Sequence, residues 1–316
     1  MSSRSMALPT YNEARKASLK KIGEETLKVQ QKESYTCQGL VYDLSENIEE
    51  TAENSVFHPP NDPLIAGWLD QQRMQFLSSS PTYVSVLQMS ALGAARVLED
   101  IFKSNPEARG SIGVLSFAGP SEPAKKVSSG FDSQETSIAR STTLCSALRA
   151  PEGRKYYQVT PSPGYHTHAI LFCPGVTVIR NDNGGFSAPY EIDIVNCAAV
   201  NAGKVRQGDT RNRSGVSVEN GIEDEMEERM GRILYVFERR GVRNVVLGAF
   251  GTGYFNNKVE VVARIWAKLL TDREARFKES FDRVIFAITG QETYRAFHRE
   301  FDPAGAEAQF DSSGKD

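Results

Sequence analysis

Metal-binding and disulfide chemistry have little to work with in this chain. Of 316 residues only 4 are cysteine and 4 are histidine. Cys37, Cys145, Cys173 and Cys197 are scattered, no CxxC pair occurs, and only Cys173 has a histidine nearby, His168. That spacing offers no zinc-ligand pattern and no dense disulfide framework, so free, mostly buried thiols and no bound metal are expected. His166 and His168 flank Thr167 and could share one face of a strand edge or form a solvated pair at a loop end. An excess of either charge is missing as well: 37 Lys+Arg against 40 Asp+Glu leave a net charge of -3. That balance gives no global electrostatic case for nucleic acid or an acidic membrane surface, so neither is expected as a partner. No apolar run approaches the roughly 20 residues of a transmembrane helix. The amino terminus lacks a hydrophobic signal core, and a cytoplasmic or nuclear protein is expected. Two nucleotide signatures are missing too: no GKS or GKT follows a glycine loop, and no G-x-G-x-x-G opens a helix.

What the chain does contain is an alternation of strand and helix patterns. Hydrophobic residues make up 40% and charged residues 24%, the balance of a globular protein with a real core. Helical spacing is expected over 11 to about 31, with Leu19, Ile22, Thr26 and Val29 on one stripe, and over 91 to about 104 behind an N-cap at Ser90. Further helices are expected over about 133–148, 221–240, 259–272 and 291–301. In the helix 221–240, Met226, Met230, Ile233, Leu234 and Phe237 fall on one side as core residues. Strand patterns cover 39–44, 81–87, 111–118, 169–173, 176–180, 190–200, 243–250 and 281–288. Pro174-Gly175 reads as a break between two short strands, 151–164 as a Pro/Gly-rich connection, and 70–76 as helix or loop. The acidic stretch 46–53 reads as solvated, and 204–220 as a polar loop whose Arg206, Arg211 and Arg213 either assist a phosphate or face solvent. Without a linker-like shift in composition, the pattern predicts one α/β domain over 11–302, helices on both faces of a largely parallel or mixed sheet. Residues 1–10 and 303–316 are expected as flexible tails.

Two junctions between a strand and a loop carry the chemistry. The first runs through Val114-Leu115-Ser116-Phe117-Ala118, then a polar loop of about a dozen residues, then the helix start at Ser133-Gln134-Glu135-Thr136. Ligands of open α/β sheets sit outside the carboxyl ends of the strands, and a helix start favours an anion there. In the second junction, Gly248, Gly251 and Gly253 let backbone approach a ligand and can form an anion nest.

Several ordered stretches carry a family resemblance. They are Glu24-Glu25-Thr26-Leu27, Val114 to Ala118, Gln134-Glu135 with Ser137 to Leu144, and Pro174 to Arg180, followed by Ala198 to Gly203 and Leu247 to Asn257. In these the chain resembles the microbial-type poly(ADP-ribose) glycohydrolases over about residues 12 to 300. The resemblance implies a macrodomain-like three-layer α/β/α fold with a mixed central sheet and an added amino-terminal helical region. It also implies binding and hydrolysis of ADP-ribose conjugates, with ADP-ribose or an ADP-ribosylated small molecule or protein as partner and no cofactor. The alternative is an inactive ADP-ribose reader or scaffold.

Carried over residue by residue, the resemblance makes Glu135 the catalytic candidate. It makes Ser116, Ala118, Gln134, Thr136, Asn201, Gly248, Gly251, Thr252, Gly253, Tyr254 and Phe255 the ligand-binding candidates. The family has asparagine where this chain has Ser116, and asparagine-proline with three glycines where it has Glu122-Pro123-Ala124-Lys125-Lys126. Lys125 and Lys126 become possible phosphate contacts or solvated side chains. Thr252 stands where the family commonly has cysteine. Thr136 stands where the resemblance expects the second glutamate, the one that performs catalysis. Arg140 is expected to brace its helix. Asn201 faces the ligand or forms a turn, and among Phe250, Tyr254 and Phe255 at least one is expected in the core.

Overall fold

The computed structural model describes residues 10–70, 82–108, 110–119, 124–159, 164–208 and 215–301; expectations for the tails, for 71–76, and for Arg211 and Arg213 fall outside them. In chain order the elements are helix α1 (Tyr11–Lys32), strands β1 (Ser34–Cys37) and β2 (Leu40–Asp43), helix α2 (Ser45–Asn54), strand β3 (Val56–His58) and helix α3 (Pro63–Ala66). Then come β4 (Tyr83–Leu87), α4 (Ala91–Ser104), β5 (Ile112–Phe117), α5 (Ala124–Ser128), α6 (Gln134–Ser141), α7 (Leu144–Arg149) and α8 (Pro151–Val159). The remainder is β6 (Ile170–Arg180), β7 (Phe186–Cys197), α9 (Ala202–Gly208), α10 (Gly215–Arg239), β8 (Asn244–Leu247), α11 (Val259–Leu270), β9 (Arg283–Ala287) and α12 (Gln291–Phe301).

Seven strands form one mixed sheet in the order β3-β6-β7-β5-β8-β9-β4, and β1 pairs with β2 in a separate hairpin. The pairs β5/β7, β5/β8, β8/β9 and β9/β4 are parallel, whereas β6 runs antiparallel to both β3 and β7. Alternation along β5 sends Val114 to one face and Leu115 to the other, and each face is covered. Leu115 packs with Met226, Met230, Phe237 and Trp266 from α10 and α11. Val114 packs with Leu98, Ile138, Leu148 and Tyr156 from α4, α6, α7 and α8. The result is the expected α/β/α sandwich, each large apolar side chain so buried contributing about 1.5–3 kcal/mol.

Several local expectations give way. Residues 151–164 are not all connection, because α8 occupies Pro151–Val159. The loop before residue 133 carries the short helix α5. The helix expected over 133–148 is two helices, broken at Thr142, which turns extended and bridges Val178. The two strands at Pro174-Gly175 are the single strand β6, which bulges there with Gly175 at φ 62°. Residues 204–208 and 215–220 belong to α9 and α10 rather than to a loop. The four cysteines are free and buried, as the composition predicts.

Candidate active site

Five parallel strands bring their carboxyl ends to one edge of the sheet, and the two expected junctions meet there. At the end of β5 the chain leaves through Ala118 and Gly119, and α6 returns with its amino terminus against that end. Gln134 makes the attachment: its Oε1 accepts from Phe117 N at 2.8 Å and its Nε2 donates to Leu115 O at 2.7 Å. The amide thus acts as one more rung on the strand. Ser133 caps the helix, its Oγ accepting from Thr136 N at 3.3 Å.

Consecutive helical residues point about 100° apart, and Glu135 and Thr136 diverge accordingly. Thr136 is fully buried, its hydroxyl donating to Phe131 O at 2.8 Å and accepting from Ser133 N at 3.0 Å, within the cap. Glu135 turns to the end of β5, where its Oε1 accepts from Gly119 N at 3.0 Å. Lys126, from α5, places Nζ 3.7 Å from Oε2, and the Glu135 side chain is 3% exposed. Burial pushes this carboxyl above its ordinary range, while Lys126, the Gly119 N–H and Tyr157 pull the other way. A carboxyl that holds its proton more tightly than usual is suited to general acid work. Arg140 braces this helix as expected, donating to Phe131 O at 2.6 Å and pairing with Asp132 at 3.4 Å.

The second loop is held by its glycines. Gly251 has φ +75°, and a β-carbon there would sit 2.5 Å from Ala199 Cβ and 2.6 Å from Asn257 Nδ2. A β-carbon at Gly248 would meet Ala287 O at 3.0 Å and the Phe117 ring at 3.1 Å, so this turn lies against the first junction. Asn257 ties it down by donating to Val200 O at 2.7 Å and Gly251 O at 3.0 Å, and Trp266 Nε1 donates to Gly248 O at 3.1 Å. The Thr252 hydroxyl donates to Ala249 O at 3.0 Å. Among the described residues none accepts from the N–H groups of Gly251, Gly253, Tyr254 or Phe255, an arrangement suited to an anion. Phe250 is core, Tyr254 is 84% exposed, and half-buried Phe255 lies 5.4 Å from the His166 ring.

Other expected residues take structural positions. Asn201 caps α9, its Oδ1 accepting from Lys204 N at 3.0 Å. Arg206 donates to Asn256 O at 2.7 Å and pairs with Glu219 at 2.6 Å, so it braces the loop from below. His166 and His168 are half-buried rather than solvated, and His168 Nε2 lies 3.0 Å from Glu225. Ala118 is buried, its N–H bonded to Cys197 O at 2.9 Å. The side chain of Lys125 lies outside the described set. Among the described residues no group of three His, Cys, Asp or Glu is placed to hold a metal, and no helix is long and apolar enough to cross a membrane.

Three residues near the site escaped the sequence reading. Asn196 is fully buried in β7, and a polar amide within the apolar run 190–200 was its signal. Arg229, also fully buried, donates to Ala198 O at 3.1 Å and Tyr165 O at 3.0 Å, which fixes the exit from β7. Its signal was a cation between Met226 and Met230. Tyr157 has none, since the prolines and glycines of 151–164 give its stretch the pattern of a connection.

Comparison with known proteins agrees with this architecture. A family model described as the catalytic domain of microbial-type PARG matches residues 23–181, half of the chain. The poly(ADP-ribose) glycohydrolase of Thermomonospora curvata is 26% identical, with a TM-score of 0.77 over 90% of this chain and 100% of that one. Its structure bound to the inhibitor ADP-HPD matches with a TM-score of 0.75 over the same shares, also at 26% identity. The Deinococcus radiodurans glycohydrolase in complex with ADP-ribose is 25% identical, with a TM-score of 0.68 over 81% of this chain and 98% of that one. No curated protein matches the chain.

Proposed function

Because this chain belongs to the microbial-type PARG family, we propose that it binds ADP-ribose conjugates and hydrolyses the glycosidic bond at C1'' of the distal ribose. The observation that carries the reading is the meeting, at one sheet edge, of a buried carboxyl and an amide-lined glycine turn. Glycosidase chemistry needs a proton for the leaving oxygen while oxocarbenium-like charge builds on the sugar. Protonated Glu135 gives that proton as the C1''–O bond breaks, and the bonding electrons leave with the oxygen. Water then adds to C1'' and returns a proton to the Glu135 carboxylate. In this scheme the N–H groups of Gly251, Gly253, Tyr254 and Phe255 take the diphosphate. The exposed Tyr254 ring lies against the nucleotide, and Thr252, Gly248, Ala118, Gln134 and Asn201 shape the walls, while the buried Ser116 lies behind them.

Thr136 occupies the position of the family's second glutamate in this reading, so Glu135 works as a single carboxyl. Lys126 is its counter-charge in the unliganded site and, with Lys125, a phosphate contact once ligand enters. Side chains at Ala124, Lys125 and Lys126, where the family has glycines, favour small or singly modified conjugates over a polymer. Residues 11–302 act as one unit. Four free, buried thiols suit the reducing cytoplasm or nucleus.

A second reading, an ADP-ribose reader without turnover, draws on Thr136, whose hydroxyl is committed to the helix cap and carries no useful acidity. Calorimetric titration with ADP-ribose and release assays on mono- and poly-ADP-ribosylated protein separate the two. Wild type and Glu135→Gln are both expected to bind, and only wild type to release ADP-ribose, faster by about 10²–10⁴-fold. Binding without release by wild type leaves the reader; no heat at millimolar ligand removes both.

A further inference from the structure

The carboxyl ends of β5 and β7 bury polar atoms that the protein itself does not satisfy. Ser116 and Asn196 are register partners on these parallel strands. Strand alternation puts both on the face that carries Val114 and Ile194, beneath α6 and α8. Both residues are fully buried, and the Ser116 Oγ and the Asn196 Oδ1 and Nδ2 have no hydrogen-bond partner among the described residues. The Tyr157 hydroxyl, from α8, is equally buried. It lies beside the Asn196 amide and the Glu135 carboxyl without closing a well-directed bond to either. Left dry, each such group costs about 1–3 kcal/mol, and folded proteins meet the demand with buried water making two to four bonds. An amide, two hydroxyls and a carboxyl edge offer such a water both donors and acceptors.

We propose that Ser116, Asn196 and Tyr157 enclose a hydrated polar chamber behind Glu135, from which Tyr157, as a positioning residue, donates a hydrogen bond to the Glu135 carboxylate. Its consequence for turnover rests on the hydrolase reading above; the chamber itself does not. Glu135 is faced by Lys126 from α5, by the Gly119 N–H and by Tyr157, and the phenol's other titratable neighbours are Tyr156, with ring centroids 5.1 Å apart, and Cys145. Burial beside a carboxylate holds the phenol protonated far above neutral pH, so the phenol is the donor of the pair. Donation to the charged form favours that form and offsets part of the burial of Glu135. The water behind the ring accepts from the Asn196 amide and bonds Ser116, which fixes the ring and its hydroxyl in place.

Carbon-13 carboxyl titration of labelled glutamate, with the Glu135 signal assigned by its loss in Glu135→Gln, tests this in the intact chain. Tyr157→Phe removes one oxygen and is expected to raise the Glu135 midpoint. ADP-ribose release is expected to fall by about tenfold or more, with its pH limb moving in the same direction. An unchanged midpoint in folded Tyr157→Phe overturns the assignment. A high-resolution crystal structure of wild type is the second arm and does not depend on how the variant folds. Ordered water within hydrogen-bonding reach of Ser116 Oγ and the Asn196 amide is expected, and a dry, closed site overturns the chamber. Neither measurement needs turnover, so a wild type that binds but does not hydrolyse would refute the hydrolase reading alone.

Discussion

At the residue scale, the site turns on Glu135 and its neighbour in sequence. The 100° step between them sends the carboxyl to the sheet edge and the threonine into the cap, so neither can do the other's work. The burial of Glu135 carries a thermodynamic signature. Its carboxyl is raised above the ordinary value of 4.5, chiefly by desolvation, so in the window above that value the folded protein holds the proton more tightly than the unfolded chain. Stability from this group is therefore present in acid and is lost as pH rises through the folded midpoint. Gln keeps the acceptor for Gly119 N and never ionises. Glu135→Gln is thus expected to gain melting temperature over wild type as pH rises from about 4.5 toward neutral, and to show little difference below. Thermal unfolding scans across that range check it, and a gap that narrows with rising pH would contradict the sign.

At the scale of elements, the glycine turn after β8 was legible and the helices around α6 were less so. Gly251 combines positive φ with two contacts that leave no room for a methyl group. Gly251→Ala is expected to cost about 1–3 kcal/mol in urea unfolding and to weaken ADP-ribose binding more than Gly253→Ala, whose position opens on space. Apolar runs mark β5, β8 and β9 plainly, because buried parallel strands have few other ways to be written, and β-branched content marks the half-buried edge strand β4. Two of the misses share a cause: Pro and Gly look like breakers in the sequence where the fold uses them otherwise. Pro151 stands at the first position of α8, where a proline's missing N–H costs nothing. Pro174-Gly175 sits on a bulge, where an irregular residue is absorbed without ending the strand. Losing α8 from the reading also lost Tyr157, and with it one side of the site. No local pattern announced the break at Thr142 either, since it is made by pairing with Val178 from a distant strand.

At the scale of the whole molecule, the amino-terminal helix is tied from behind into the sheet edge that carries Glu135. Sequence periodicity placed Thr26 on the buried stripe of α1, but nothing local named its partners. The Thr26 hydroxyl donates to Arg140 O at 2.6 Å and accepts from Arg180 Nε at 2.8 Å, and Gln30 Nε2 donates to Thr142 O at 3.0 Å. These bonds serve carbonyls at the end of α6 that the helix cannot satisfy itself. A β-carbon on Gly23 would lie 2.4 Å from Val127 O, so α1 also rests directly on the helix that carries Lys126. The position of Glu135 is therefore set at both ends of α6, by Gln134 on β5 at one and by α1 at the other. Thr26→Val keeps the shape and removes the hydroxyl, leaving a buried carbonyl and a buried guanidinium each short of a partner. A loss of about 2–4 kcal/mol in urea unfolding is expected, with faster amide exchange along α6 and a lower rate of ADP-ribose release at saturating substrate. Thr26→Ser, which restores the hydroxyl without the methyl group, is expected to recover most of all three. Recovery of stability without recovery of α6 protection would show that α1 supports the fold but not the site.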